Sequence, residues 1–167
     1  MGKMETRQVS VQRVSLVSSR RFEDVVAALD AALGHADAGT FAGKIGAAKN
    51  YGEVERIVKE VIAPSGFMEF ARYDLGSVLR KDRGDKTPRI VRFVVGNPLI
   101  MKSMLEHVPD AGSYAPVTIL VDERADGVHL TYDKMASYLA PYGNADAMKV
   151  AQDLDAKVET LLRKAAG

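Results

Sequence analysis

Cysteine is missing from the 167 residues of this chain, and histidine occurs only three times. Without cysteine the chain can form no disulfide, no thiolate metal site and no thiol nucleophile, and such a chain fits a reducing cytoplasm. The three histidines include no helical His-x-x-x-His pair. We therefore expect no metal site and no bound cofactor, and we predict a cytoplasmic location.

Neither sign of charge is in large excess, since 23 lysines and arginines face 22 acidic residues and the net charge is +1. A nearly neutral chain creates no field that would attract nucleic acid. Long apolar runs are also missing: none approaches the ~20 residues that a membrane span requires. The sequence therefore predicts neither a nucleic-acid partner nor a membrane partner.

Several catalytic signatures are absent as well. The chain has no phosphate-binding glycine loop, no Rossmann fingerprint and no G-x-S-x-G nucleophile turn. What is present is the ordinary composition of a globular protein, 47% hydrophobic and 27% charged. A chain of this length can bury a sizeable core, so we predict a single domain over residues 1–167.

The most informative stretch for the fold runs from Ile90 to Pro109. Its first part, IVRFVV, is an apolar run that is typical of a central strand. Gly96 favours a turn or a close approach of another segment. Asn97 is a good helix N-cap, and Pro98 suits the first helical position because no N–H is needed there. The pattern predicts a strand, a tight turn and an amphipathic helix.

Hydrophobic periodicity predicts the remaining elements. In the N-terminal half we expect a bulged strand at 7–18, a helix at 21–33, a loop or poorly ordered segment at 34–50, a helix at 51–62, a strand at 66–76 and a polar loop at 80–89. In the C-terminal half we expect a hairpin across Asp126-Gly127, a short helical turn at 134–140 and a long helix at 145–165. Together these elements predict an α+β domain with a mostly antiparallel sheet of about five strands covered by helices.

Three of these features carry a resemblance to a known family. The Gly96-Asn97-Pro98 turn, the hairpin PVTILVDERADGVHLTYD at 116–133 and the final helix resemble the bacterial and archaeal family called domain of unknown function 302. The resemblance implies a TATA-box-binding-protein-like β-α-β(4)-α fold and a homodimer, with no established activity. On this basis 34–64 is predicted to be an insertion within the domain, with its extra helix near 51–62.

One family feature is not matched. The family often has Asp-His at the end of the strand after its first helix, whereas this chain has Asp74-Leu75. Any role that needs that histidine is therefore not expected to carry over.

Polar residues at predicted strand ends are the candidate ligand-binding residues. Asp74 and Asn97 each follow a strand, and Arg92 interrupts the central apolar strand, where it needs a partner such as Asp74. Tyr132 alternates with Val128 and should therefore face the covered side of the sheet. We predict that these side chains include the polar lining of the main cavity.

Three functions remain open at this point. The first is a homodimer that binds a small molecule. The second is a cofactor-independent acid–base enzyme of the lyase or isomerase type, which would use Asp74 or His107 with a tyrosine. The third is nucleic-acid binding through the sheet, which only the fold analogy suggests and the near-neutral charge opposes.

Overall fold

The computed structural model describes residues 2–167, which form one six-stranded sheet, seven α-helices and two short 3-10 turns. In chain order the elements are β1 Arg13–Ser18, α1 Phe22–Ala32, β2 Gly34–His35, α2 Ala38–Ala47, α3 Tyr51–Val61, β3 Met68–Asp74, α4 Gly76–Arg83, β4 Ile90–Gly96, α5 Pro98–Leu105, β5 Val117–Arg124, β6 Gly127–Asp133, α6 Met135–Leu139 and α7 Ala145–Ala166. The 3-10 turns are Pro109–Ser113 and Ala140–Tyr142.

The sheet has the strand order β1-β6-β5-β4-β3-β2. All neighbouring strands are antiparallel except β2 and β3, which are parallel. The predicted α+β class is therefore confirmed, as are the hairpin of β5 and β6 and the long final helix. The predicted number of about five strands is one short, because β2 consists of only two residues and gives no periodic signal.

Helices α1, α5, α6 and α7 cover one face of the sheet. Alternation along the strands sends Phe93, Ile119, Leu130 and Tyr132 to this face, where each is almost fully buried. A second, smaller apolar cluster forms where α2 and α3 pack beyond the β3 edge, around Val58. The opposite face of the sheet, which we call the open face, carries mostly exposed or half-exposed side chains.

The first strand is shorter than predicted. It begins at Arg13 rather than at residue 7, and its pairing with β6 runs from Arg13 to Ser18 without a shift. The reason is that β6 ends at Asp133, opposite Arg13, so the chain before Arg13 has no strand to pair with. Gln12 instead binds the start of α6, donating from its N–H to the Ser137 hydroxyl at 3.0 Å. The register shift in the sheet lies in β3, between Glu69 and Ala71.

The predicted loop at 34–50 is wrong, because it contains β2 and the helix α2. Asp37 caps this helix, accepting a hydrogen bond from the Thr40 N–H at 2.8 Å. Phe41 anchors it, meeting Phe70 edge-on with ring centres 6.5 Å apart. Cap and anchor together outweigh the low helix propensity of its three glycines.

The predicted polar loop at 80–89 is also partly helical, since α4 extends to Arg83. The side chain of Asp74 begins this helix by accepting a hydrogen bond from the Ser77 N–H at 2.9 Å. It also forms an ion pair with Arg80 at 2.5 Å. A local cap therefore converts a charged stretch into a short helix, and the loop proper begins at Gly84, where φ is +82°.

Within residues 2–167, no helix combines the length and the apolar character that crossing a membrane would require.

Candidate functional site

An apolar cavity of about 610 Å³ lies beside the β3 side of the sheet. Helices α2, α3 and α5 wall it, and the adjoining ends of β3, β4 and β5 form its floor. The side chains and glycines that shape it are Ala38, Phe41, Ala42, Ile45, Gly46, Tyr51, Val54, Met68, Phe70, Gly96, Leu99, Ile100, Met101 and Val117.

Small residues keep this cavity open. Ala38, Ala42 and Gly46 line it from α2 and recur every four residues, so they share one face of that helix. Gly96 does the same in the floor, where an added Cβ would lie 3.2 Å from Pro116 Cβ and 3.3 Å from Phe70 Cε2. This confirms the predicted close approach at Gly96, although its backbone is that of a strand end.

Asn97 is the one predicted site residue that lines the cavity. Its side-chain oxygen accepts a hydrogen bond from the Leu99 N–H, and its amide donates to the Gly66 carbonyl, both at 2.9 Å. Both ends of this side chain are therefore occupied by protein partners. Asn97 starts α5 and ties it to the turn before β3, and thus positions the cavity wall.

The rim of the cavity carries a cation beside an aromatic ring. The Lys102 ammonium lies 5.1 Å from the centre of the Tyr51 ring and forms an ion pair with Glu106 at 2.6 Å. The hydrogen bond to Glu106 raises the pKa of Lys102 above its ordinary value, so the amine is charged at neutral pH. A ligand with an apolar body and an acidic end would fit this arrangement of walls and rim.

Glu69, also in the cavity lining, belongs to a cluster with the atoms a metal could use. Ligand atoms of Asp30, His35 and Glu69 lie within 4.8 Å of one another. Arg72 already forms ion pairs with both carboxylates, the one with Glu69 at 2.6 Å. Its hydrogen bond lowers the pKa of Asp30. The guanidinium thus supplies the positive charge, and a metal ion would have to displace it.

Asp74 lies in a different concavity, together with Arg80 and Glu123. Asp74, the candidate partner of Arg92, does not pair with it. Tyr73 is the residue opposite Arg92 in the sheet, and Asp74 is opposite Val91, so Arg92 and Asp74 project from opposite faces. The register depends on the shift between Glu69 and Ala71, which the residue pattern does not show.

Tyr132 faces the covered side of the sheet, as predicted, and is 1% exposed. Its hydroxyl donates to the Asp155 carboxylate of α7 at 2.6 Å, and the same carboxylate accepts from the N–H groups of Met135 and Ala136 at 2.7 and 3.0 Å. Burial, followed by the adjacent carboxylate, raises the pKa of Tyr132 far above its ordinary value. This phenol therefore remains a hydrogen-bond donor at all ordinary pH values.

The acid–base alternative finds little geometric support. His107 follows α5 and lies 3.9 Å from Glu106, while Asp74 is occupied by Arg80 and the Ser77 N–H. Within residues 2–167, neither His107 nor Asp74 has a tyrosine hydroxyl among its hydrogen-bond partners. Two tyrosines of the C-terminal half instead contact each other: the rings of Tyr114 and Tyr138 are stacked, with their centres 4.5 Å apart.

The four predicted site residues are therefore not brought together. Asn97 lines the cavity, Asp74 lines a second concavity, Arg92 lies on the open face and Tyr132 is buried in the core. Sequence reasoning missed the α2 wall because it assigned 34–50 to a loop. The four-residue spacing of Ala38, Ala42 and Gly46 was the available signal.

A family model and a solved structure that are similar to this chain carry the same family name. The family model described as "Domain of unknown function DUF302" matches residues 43–165. The crystal structure of an uncharacterized conserved DUF302 protein from Bacillus stearothermophilus superposes with a TM-score of 0.66 at 12% identity, covering 92% of this chain and 97% of that chain. At that identity the likeness supports the fold alone. No curated protein matches the chain.

Proposed function

The chain belongs to the DUF302 family, whose description specifies no activity, and we propose from its site that it binds a small, largely apolar molecule with an acidic end. The ligand would occupy the cavity between α2, α3 and α5. The lining of that cavity is the observation that carries the proposal. Its volume of about 610 Å³ lies within the range of ~300–1,000 Å³ that is usual for small-molecule sites.

The chemistry of the lining specifies the class of ligand. Aliphatic and aromatic side chains form the walls, and the amide of Asn97 is occupied by Gly66 and Leu99. Polar selection is thus left to the rim, where the charged ammonium of Lys102 lies next to Tyr51 and a ligand carboxylate would share it with Glu106. An alkyl or aromatic carboxylate would bury its apolar body and keep its anionic end near Lys102.

Decanoate and 1-decanol are suitable probes because they share a chain length and differ in charge. We expect both to raise the thermal unfolding temperature of the protein, and decanoate to do so more strongly. A ligand at 100 times its dissociation constant stabilises the folded state by about 2.7 kcal/mol. Lys102→Met should weaken decanoate binding and leave decanol binding unchanged.

Cavity-filling variants provide the matched control. Ala42 lines the cavity, and Ala156 is exposed on α7, so Ala42→Phe should abolish the response to both probes whereas Ala156→Phe should retain it. If neither probe shifts the unfolding temperature of the wild-type protein, or if Ala42→Phe responds as the wild type does, the cavity is not a site for this class of ligand.

We also propose that the protein is a homodimer, as the family resemblance implies. Tyr73, Leu75 and Val78 support this because they expose 51%, 42% and 72% of their surface around α4, and adjacent exposed apolar side chains are typical of interaction surfaces. Light scattering at micromolar concentration should give twice the 18.1 kDa of one chain.

A pair of variants tests the dimer surface. Val78→Lys should lower the measured mass toward that of one chain, whereas Val11→Lys, at another exposed valine, should leave it unchanged. A wild-type mass near 18.1 kDa would contradict the dimer. The cytoplasmic location remains a prediction from the missing cysteines.

A further inference from the structure

The open face of the sheet contains a pocket that the proposed ligand does not use. Its volume is about 430 Å³, and it lies over β4, β5, β6 and β1. The side chains that matter to the argument are those of Arg13, Ser15, Arg92, Thr118, Arg124 and Thr131. They come from four strands and project to one side, away from the helices.

Two of the three arginines in this pocket are neutralised. Arg13 binds Asp133 through two hydrogen bonds of 2.6 and 2.8 Å, and Arg124 binds Asp122 at 2.6 and 3.3 Å. Arg92 differs from both: among residues 2–167, no carboxylate lies within ion-pair distance of its guanidinium. The pocket thus carries one uncompensated positive charge at the centre of the sheet.

Thr131 supplies a second unmatched group. Its hydroxyl oxygen is buried and has no hydrogen-bond partner within residues 2–167. A buried hydroxyl without a partner is unfavourable, and such groups in folded proteins usually have a ligand, an ion or water as the missing partner.

The register places these unmatched groups in one row. Ser15 is opposite Thr131, Thr131 is opposite Leu120, and Leu120 is opposite Arg92. Neighbouring strands are about 4.8 Å apart, so the row from Thr131 to Arg92 spans about 10 Å between backbones. A long arginine side chain can reach back over Leu120 toward the threonine hydroxyl.

We propose that this pocket binds a tetrahedral oxyanion, namely inorganic phosphate or the phosphate group of a small phosphorylated molecule. Arg92 would donate two parallel N–H groups to it, as guanidinium groups commonly do to phosphate. Thr131 is partly exposed in the pocket while its hydroxyl oxygen is buried, so a rotation about χ1 that exchanges hydroxyl and methyl would bring this donor to another oxygen of the anion. Ser15 and Thr118 would flank the anion. The site lies on the opposite side of the sheet from the core, so it can exist whether or not the apolar cavity binds a ligand.

Calorimetric titration tests the proposal, with inorganic phosphate and glycerol 3-phosphate as the probes and sodium chloride holding the ionic strength constant. We expect saturable binding of at least one probe. Arg92→Gln should weaken binding by about tenfold or more. Arg83→Gln provides the matched control, because Arg83 is exposed on α4 and lies outside the pocket. Stronger binding of glycerol 3-phosphate than of phosphate would identify a phosphorylated molecule as the ligand.

Thr131→Val separates a binding role from a structural one. Valine has the shape of threonine without its hydroxyl, so this variant should unfold at the same or a higher temperature and still bind phosphate more weakly. The proposal is overturned if neither probe binds above the chloride background. It is also overturned if Arg92→Gln binds as the wild type does, or if Arg83→Gln weakens binding equally.

Discussion

Replacing Asp155 by alanine is expected to lower the free energy of unfolding by about 3–5 kcal/mol, a large part of the stability of a domain of this size. Asp155 is 2% exposed and accepts three hydrogen bonds. Two of the donors are the N–H groups of Met135 and Ala136, which begin α6. The third is the hydroxyl of Tyr132 at the end of β6.

The expected loss is large because alanine would remove the shared acceptor of all three donors, and only the long contact of 3.4 Å from the Met135 N–H to the Tyr132 hydroxyl would remain. A helix start that lacks a cap is unfavourable, and so is a buried phenol without an acceptor. Burial raises the pKa of the Asp155 carboxyl, and the hydrogen bonds from Tyr132, Ala136 and Met135 oppose that rise. Tyr132→Phe removes one donor and leaves the other two paired, so it should cost less, about 1–3 kcal/mol.

Urea unfolding followed by circular dichroism measures these changes. Asp153→Ala is the matched control because Asp153 lies two residues away on α7, is largely exposed and forms only a surface ion pair with Lys149. Such pairs contribute about 0–1 kcal/mol. If Asp155→Ala and Asp153→Ala unfold at the same urea concentration, the carboxylate of Asp155 does not hold β6, α6 and α7 together.

A second large effect is expected from Gly34→Ala, which should cost more than ~3 kcal/mol or prevent folding. An added Cβ at Gly34 would lie 1.8 Å from the Val61 carbonyl oxygen and 2.8 Å from its carbon. These are backbone atoms at the end of α3, so no side-chain rotation can relieve the overlap. The Gly34 and Ala63 N–H groups both donate to the Phe67 carbonyl, at 3.0 and 3.1 Å, and therefore fix β2 against this segment.

The variant should also affect the cavity, because α3 carries Tyr51 and Val54 into its wall. A shift of the end of α3 would therefore weaken the response to decanoate along with the stability. Gly43→Ala is the control: an added Cβ there has no heavy atom within 4 Å, and alanine in a helix is favoured over glycine by about 1 kcal/mol. Equal unfolding temperatures for Gly34→Ala and Gly43→Ala would contradict the close contact between β2 and α3.

Much of the fold was predictable because its signals are local. The Gly96-Asn97-Pro98 turn is specified by a cap residue and by a proline that needs no N–H. The hairpin across Asp126-Gly127 and the apolar stripe of α7 are likewise encoded within short windows. The buried position of Asp155 was also predictable from a local pattern. It lies four residues after Ala151 and is therefore a charged residue on the buried face of α7.

The site was less predictable because it depends on long-range placement. Whether Arg92 and Asp74 share a face depends on a register shift in β3 that changes no residue pattern. The α2 wall was hidden because three glycines suggested a loop, while its anchor, Phe41 against Phe70, pairs residues that are distant in the chain. The Thr131 hydroxyl has no partner within residues 2–167, which becomes visible only when its surroundings in the folded sheet are known.

The three glycines of α2 also influence how tightly the cavity can bind a ligand. Gly39, Gly43 and Gly46 together lower the intrinsic helix stability of this segment by about 3 kcal/mol relative to alanine, and few residues beyond Phe41 tie it to the rest of the molecule. We therefore expect this helix to unfold locally more readily than the sheet does. A molecule in the cavity would contact the helix only in its folded form, so part of its binding energy would be spent on ordering the helix. Replacing one of these glycines at a position away from the ligand would therefore change the affinity for the ligand without altering any contact between the ligand and the protein.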